Sequence, residues 1–184
     1  PQQADLIALS GHKIYGPKGI GALWVRDGIE LPPLIHGGGQ EQGVRSGTLS
    51  PALCAGLGAA AKLCAERRQA DMDHINDLSE RARSLFGEWS VNGSLDQRYA
   101  GNLNIRRDGL DVARLMSDVR GVAFSAGSAC ASGSGRPSHV LAALGLKPAQ
   151  IKSSIRLGFG RYNDIDDVEQ AAHLINQAAE KQLS

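Results

Sequence analysis

Glycine falls in this chain where a backbone has to turn. Clusters at Gly16 to Gly21, Gly37 to Gly39 and Gly127 to Gly135 punctuate its apolar runs, and glycine is poorly suited to the interior of a helix or strand but well suited to φ > 0. The chain is thereby cut into short elements. Ala4 to Ser10 and Ile20 to Arg26 read as strands on either side of a Gly/Pro turn, a hairpin or edge belonging to a larger, mostly parallel sheet. After the loop of Pro32, Pro33 and the triple glycine, Ser50-Pro51 predicts a helix start, with serine as N-cap and proline at the first helical position, running to about Cys64. A more charged helical stretch follows to about Trp89.

Beyond residue 90, Asn102 to Ile105, Val122 to Ser125 and Ser153 to Phe159 predict strands, and Asp111 to Val119 and Ser138 to Leu144 predict helices. The last element is the plainest. Asn163 or Asp164 caps a helix with acids in its first turn, and Ile165, Val168, Ala172, Ile175, Ala179 and Leu183 recur along it at helical spacing. Strand and helix alternate, so an α/β or α+β layer is expected. The boundary is placed near residues 50 to 65: residues 1–50 as the remnant of one domain, 51–64 as a connecting helix, 65–184 as a small α/β domain. Because Ala4 to Leu9 already reads as a buried strand and no Met opens the chain, a fragment of a longer protein is expected.

Charge excludes some partners. Twenty Lys+Arg against 19 Asp+Glu leave no basic excess for nucleic acid or an anionic membrane. No apolar run approaches the roughly 18 to 20 residues that span a bilayer, so a cytoplasmic protein is expected. Cys54, Cys64 and Cys130 are odd in number and contain no C-x-x-C pair, which argues against a disulfide framework and a zinc site.

Four stretches carry possible chemistry. In SGHKIYGPKG, Lys13 ends a strand beside His12. The glycines suggest a phosphate loop, yet that motif ends in Gly-Lys-Ser/Thr and this one does not. Lys13 is then either a solvated strand-end lysine or an amine held in a pocket that lowers its pKa and lets it form a Schiff base. Ser10 and His12 beside it suit a phosphate. Arg45, Ser46 and Thr48 precede a helix start, where hydroxyls and free N–H groups suit an anion. Cys54 and Cys64 lie on the apolar face of a helix and read as small buried hydrophobes. Cys130 instead sits among Gly, Ala and Ser in SAGSACASGSGRPSHVL, so an exposed thiol on a mobile loop of about residues 128 to 136 is expected. Arg156, inside an apolar strand, reads as a carboxylate partner or as an edge-strand arginine facing water. His36 and His139 read as structural.

Taken together, SGHKIYGPKGIGALWVR, GGGQEQGVRSGT, SAGSACASGSGRPSHVL and SSIRLGFGR resemble the cysteine desulfurases, in particular the NifS-like group with a long cysteine loop, from about residue 4 to 180. The resemblance implies the C-terminal part of a fold-type I, class V aminotransferase-like enzyme that uses pyridoxal 5′-phosphate: a remnant of the large-domain sheet plus a small α/β domain. By it, Lys13 is the Schiff-base lysine, Ser10 and His12 contact the cofactor phosphate, Thr48 contacts it across a homodimer, and Arg156 binds the carboxylate of L-cysteine. Cys130 is the nucleophile that takes the substrate sulfur as a persulfide and releases alanine. It implies no resident metal, Cys130 at most ligating an iron–sulfur cluster transiently with a scaffold. The sulfur acceptor would be that scaffold or a tRNA-thiolation protein. The family's ring-stacking histidine, its aspartate at the ring nitrogen and one phosphate loop precede the lysine strand and are absent from these residues, so an incomplete site is expected here. A selenocysteine or cystine lyase, or a non-catalytic dimerising fragment, are the alternatives.

Overall fold

The computed structural model describes residues 3–127 and 138–184. Cys130 and the loop expected to be mobile around it lie outside the described residues. The chain divides into two compact units, Pro1–Arg68 and Gln69–Ser184.

In the first unit, β1 (Leu6–Ser10) pairs antiparallel with β2 (Gly21–Val25), Leu6 opposite Val25 and Ser10 opposite Gly21. The turn between them is built on close approach. A Cβ on Gly11 would lie 2.8 Å from the Pro17 carbonyl oxygen, and one on Gly21 would lie 2.5 Å from that of Leu9. The Gly11 N–H donates to the Ile20 carbonyl at 2.9 Å, and the Gly11 carbonyl accepts from the N–H groups of Ile14 and Gly16. Gly16 and Pro17 press on α1 (Pro51–Glu66), where Cβ atoms added at Gly16 and Gly56 would come within 3.1 Å of Ala60 and 2.8 Å of Pro17. Packing thus accounts for these glycines. Ser50 stands at the N-cap of α1 without a side-chain bond, and Pro51 begins the helix as its fixed φ allows.

Two expectations fail in this unit. Leu6 and Leu9, read as a buried strand, are 48% and 46% exposed. Cys54 is exposed and Cys64 half-buried, where buried thiols were expected. The cause is common to both: two strands and one helix cannot cover each other's apolar faces, and Ala60 is the one buried residue of α1.

The second unit has a core of its own. Its four-stranded sheet runs in the order β3 (Ser90–Val91), β4 (Asn102–Arg106), β6 (Ser154–Gly158), β5 (Ser125–Ala126), antiparallel throughout. Side chains alternate across a strand. Leu103, Ile105, Ile155 and Leu157 accordingly share one buried cluster with Leu78 and Ala82 of α2 (Arg68–Leu85), Leu115 of α3 (Val112–Asp118) and the apolar stripe of α6 (Ile165–Leu183). That stripe is Val168, Ala172, Ile175 and Ala179, while Ile165 and Leu183 at the helix ends remain 39% and 41% exposed. Asp164 caps α6 in a reciprocal box with Asp167. Asn163, the other candidate cap, instead accepts from the Gly160 N–H at 3.0 Å and closes the preceding turn. Two short helices, α4 (His139–Ala143) and α5 (Pro148–Lys152), join the end of the undescribed segment to β6.

Candidate active site

Within the first unit, Ser10 ends β1, and His12 and Lys13 lie in the single 3-10 turn Gly11–Lys13 that follows it. The tight Gly11 contacts fix where this turn sits. His12 and Lys13 are exposed and Ser10 is half-buried; among the described residues neither the lysine amine nor the imidazole is engaged in an ion pair. Lys13 therefore presents a free amine at a strand end with a hydroxyl and an imidazole close by in the chain. The pocket expected around it is not built by the described residues of this unit.

The loop of Gly37 to Thr48 orders itself. Leu34 N–H donates to the Val44 carbonyl at 2.7 Å, and Ser46 N–H to that of Ile35 at 3.0 Å. The buried Ser46 hydroxyl accepts from Gly39 N–H at 3.2 Å, and the Gln40 side-chain carbonyl accepts from Gly47 N–H at 3.0 Å. Ser46 is thereby spent on the loop itself, whereas Arg45 and Thr48 remain exposed.

In the second unit the register decides the surroundings of Arg156. It lies on β6, opposite Asn104 on β4 and opposite Ser125 on β5. An interior strand rules out the edge-strand alternative. Residues directly opposite share a face, so Arg156 stands between an asparagine and a serine on the side of the sheet away from Ile105, Ile155 and Leu157. It is half-buried, and among the described residues its guanidinium has no ion pair or hydrogen-bond partner. A fork of donors with no partner among the described residues, in a polar surrounding, fits a carboxylate.

The same face anchors the root of the segment that contains Cys130. Gly127 N–H donates to the Ser154 carbonyl at 3.0 Å, and the Gly127 carbonyl accepts from Asn104 Nδ2 at 3.3 Å. Asn104 Oδ1 accepts from Asn92 Nδ2 at 2.7 Å, Asn92 Nδ2 also donates to Ser154 Oγ at 3.0 Å, and Arg106 Nη1 donates to Asn92 Oδ1 at 2.6 Å. Ser154 Oγ in turn donates to the Gln150 carbonyl at 2.7 Å. Sequence reading missed Asn92, Asn104 and Ser154. The signal was present in NLNIR, where polar residues 102, 104 and 106 alternate with apolar 103 and 105 and mark a second, hydrophilic face.

Residues 1–171 match the aminotransferase class-V family. The chain belongs to that family. Within it, the chain is 42% identical over 183 residues to cysteine desulfurase IscS of Rickettsia prowazekii, covering 96% of this chain and 45% of that protein. It is 45% identical over 181 residues to the mitochondrial cysteine desulfurase of Eremothecium gossypii, covering 96% of this chain and 37% of the relative. This class V chain thus spans less than half the length of the curated relatives it matches. Among solved structures it resembles a NifS-like protein from Rickettsia africae, with a TM-score of 0.85, 28% identity, and coverage of 96% of this chain and 48% of that one. It also resembles SspA in complex with cysteine, with a TM-score of 0.66, 36% identity, and coverage of 87% and 45%. The mixed α/β fold is therefore that of about half of a NifS-like, fold-type I chain.

Proposed function

We propose that this chain is part of a cysteine desulfurase, a pyridoxal 5′-phosphate enzyme that moves the sulfur of L-cysteine onto Cys130 and releases alanine. The observation that carries the proposal is the Arg156 guanidinium, without a partner among the described residues, opposite Ser125, two residues before Gly127, where the Cys130 segment begins. The group that would hold the substrate carboxylate and the chain that bears the thiol spring from neighbouring strands. In support, a relative named as a cysteine desulfurase matches over 96% of this chain, and the SspA structure is in complex with cysteine.

The residues of the first unit fit the cofactor in chemistry. Lys13 carries an exposed primary amine of the kind that bonds to an aldehyde, Ser10 and His12 supply phosphate donors, and Thr48 is an exposed hydroxyl, proposed to reach the phosphate of a second copy in a homodimer. When bound, pyridoxal 5′-phosphate supplies the electron sink for the pair released as the substrate's carbon–sulfur bond breaks. Lys13 then serves as the base and acid that moves the substrate's protons. Arg156 holds the carboxylate and orients the sulfur. The Cys130 thiolate attacks that sulfur, since a thiol of pKa near 8.5 is already a few per cent ionised at neutral pH where a serine is not. The acceptor is proposed to be an iron–sulfur scaffold or a tRNA-thiolation protein, and the compartment the cytoplasm.

The test uses the intact protein. Pyridoxal 5′-phosphate is added and the visible spectrum recorded, then cysteine is added, alanine measured, and persulfide trapped by alkylation and located by mass spectrometry. A visible band lost in Lys13→Ala but kept in Cys130→Ser, with persulfide on Cys130 alone, is expected. Persulfide on Cys54 or Cys64 would overturn the nucleophile, and alanine released without any protein persulfide would favour a lyase.

A further inference from the structure

Among the polar side chains that the second unit buries, three meet in one hydrogen-bonded network. Asn92 is 3% exposed, Asn104 9% and Ser154 0%. Burying amides is costly unless every donor and acceptor is met, and an apolar side chain of the same shape would fill the space at least as well. Here the bonds are met in a chain that runs in one direction. Arg106, whose Nε lies 3.3 Å from Asp108 Oδ1, donates to Asn92, Asn92 donates to Asn104, and Asn104 donates to the Gly127 carbonyl. The terminus of this relay is a backbone oxygen at the last described residue before the Cys130 segment.

The first helix after that segment packs at the same place. Ser138 is buried and its Oγ accepts from the Leu141 N–H at 3.3 Å, fixing the first turn of α4. Leu141 is 3% exposed, and a Cβ added to Gly127 would come within 2.8 Å of its Cδ1. Gly127 therefore packs directly on Leu141, in the first turn of α4. Its N–H is held by Ser154, its carbonyl by Asn104, and its α-carbon faces Leu141.

We infer that Asn104 is a positioning residue for sulfur transfer: its amide fixes the carbonyl of Gly127, three residues before Cys130 in the sequence and next to the strand that pairs with the Arg156 strand. Asn104 lies opposite Arg156 on the strand that borders β6, so one side chain ties the root of the thiol-bearing segment to the strand that holds the substrate's carboxylate group. The inference rests on the sulfur-transfer reading above. A misplacement of the order of 1 Å at a reacting centre costs about 10²-fold in rate, which is the scale expected if the root is released.

The experiment compares the cofactor-loaded intact protein with Asn104→Leu, which keeps the volume and removes the donor, and with Asn104→Ala. Asn176→Ala is the control, because Asn176 bonds Trp89 Nε1 and the Leu85 carbonyl elsewhere in the same core. Three quantities are read: the single-turnover rate of persulfide formation, the KM for cysteine with the visible cofactor band, and hydrogen exchange at the Gly127 amide. Both Asn104 variants should form persulfide about 10- to 100-fold more slowly, with KM and band unchanged and faster exchange at Gly127. Asn176→Ala should keep the wild-type persulfide rate. A wild-type rate in Asn104→Leu overturns the inference, as does a rate that falls equally in Asn176→Ala, since the role would then be general stability. Absence of persulfide from the wild-type protein overturns the sulfur-transfer reading itself, and exchange at Gly127 tells that failure apart from a failed anchor.

Discussion

At the scale of single residues, the difference between a side chain kept for the fold and one kept for a ligand lies in its partners. Ser46 and Asn92 spend their polar atoms on their own surroundings. Arg156 does not: it is half-buried between Asn104 and Ser125 with nothing among the described residues to pair its charge. Arg156→Ala should therefore change unfolding free energy by no more than about 0.5 kcal/mol, measured by urea denaturation. Arg156→Lys keeps the charge and loses the planar fork, so KM for cysteine should rise about tenfold or more with a smaller change in kcat. An unchanged KM in steady-state assays of that variant would remove Arg156 from the carboxylate site.

At the scale of elements, the turn that carries β6 into α6 is fastened to α2 one helical turn apart. Arg161 donates through Nε at 2.8 Å and Nη2 at 2.5 Å to Asp71 Oδ2, with side-chain exposures of 9% and 14%. His74 Nε2 lies 2.8 Å from the Asn163 carbonyl. Positions three apart on a helix share a face, which is how α2 reaches both ends of this turn. Removing one partner of a buried pair leaves the other charge desolvated without its carboxylate, so Asp71→Ala should cost about 3 kcal/mol. The double variant Asp71→Leu/Arg161→Met should recover most of that loss in thermal melts. If the two single losses simply added in the double variant, the pair would not be coupled. The exposed Arg81–Glu169 pair, 43% exposed on both sides, should contribute under about 1 kcal/mol by the same measurement.

At the scale of the whole molecule, the two units differ in how much core they own. Among the described residues, sixteen buried ones form one cluster in the second unit, while the first exposes Leu6, Leu9, Leu23, Trp24, Leu34 and Ile35 by 39% to 78%. Local stability follows buried apolar contact. Limited proteolysis should therefore cut first within residues 1–50 and leave a resistant piece beginning near residue 69. Free cutting within residues 90–120 or 140–180, with residues 1–40 spared, would show that this division of stability is wrong.

What the sequence determined by itself was local. Proline at the start of α1, the Asp164 cap and the stripe of Val168, Ala172, Ile175 and Ala179 depend on neighbours within a few residues, and each is read at its true position to within a residue or two. The family was legible for the same reason, because its four motifs are contiguous stretches whose spelling survives without a fold. Tertiary structure decided the rest. The apolar run Ala4 to Leu9 says that a strand is fit to be buried, but burial needs a second surface, and the first unit does not provide one. Val122 to Ser125 reads as a strand, yet pairing with β6 begins only at Ser125, since a strand ends where its neighbour's hydrogen bonds end. The sheet placed Arg156 on an interior strand and brought Asn92, Asn104 and Ser154, up to 62 positions apart, into one hydrogen-bonded relay. Such a relay has no spacing to recognise, because its members meet only when three strands are laid side by side.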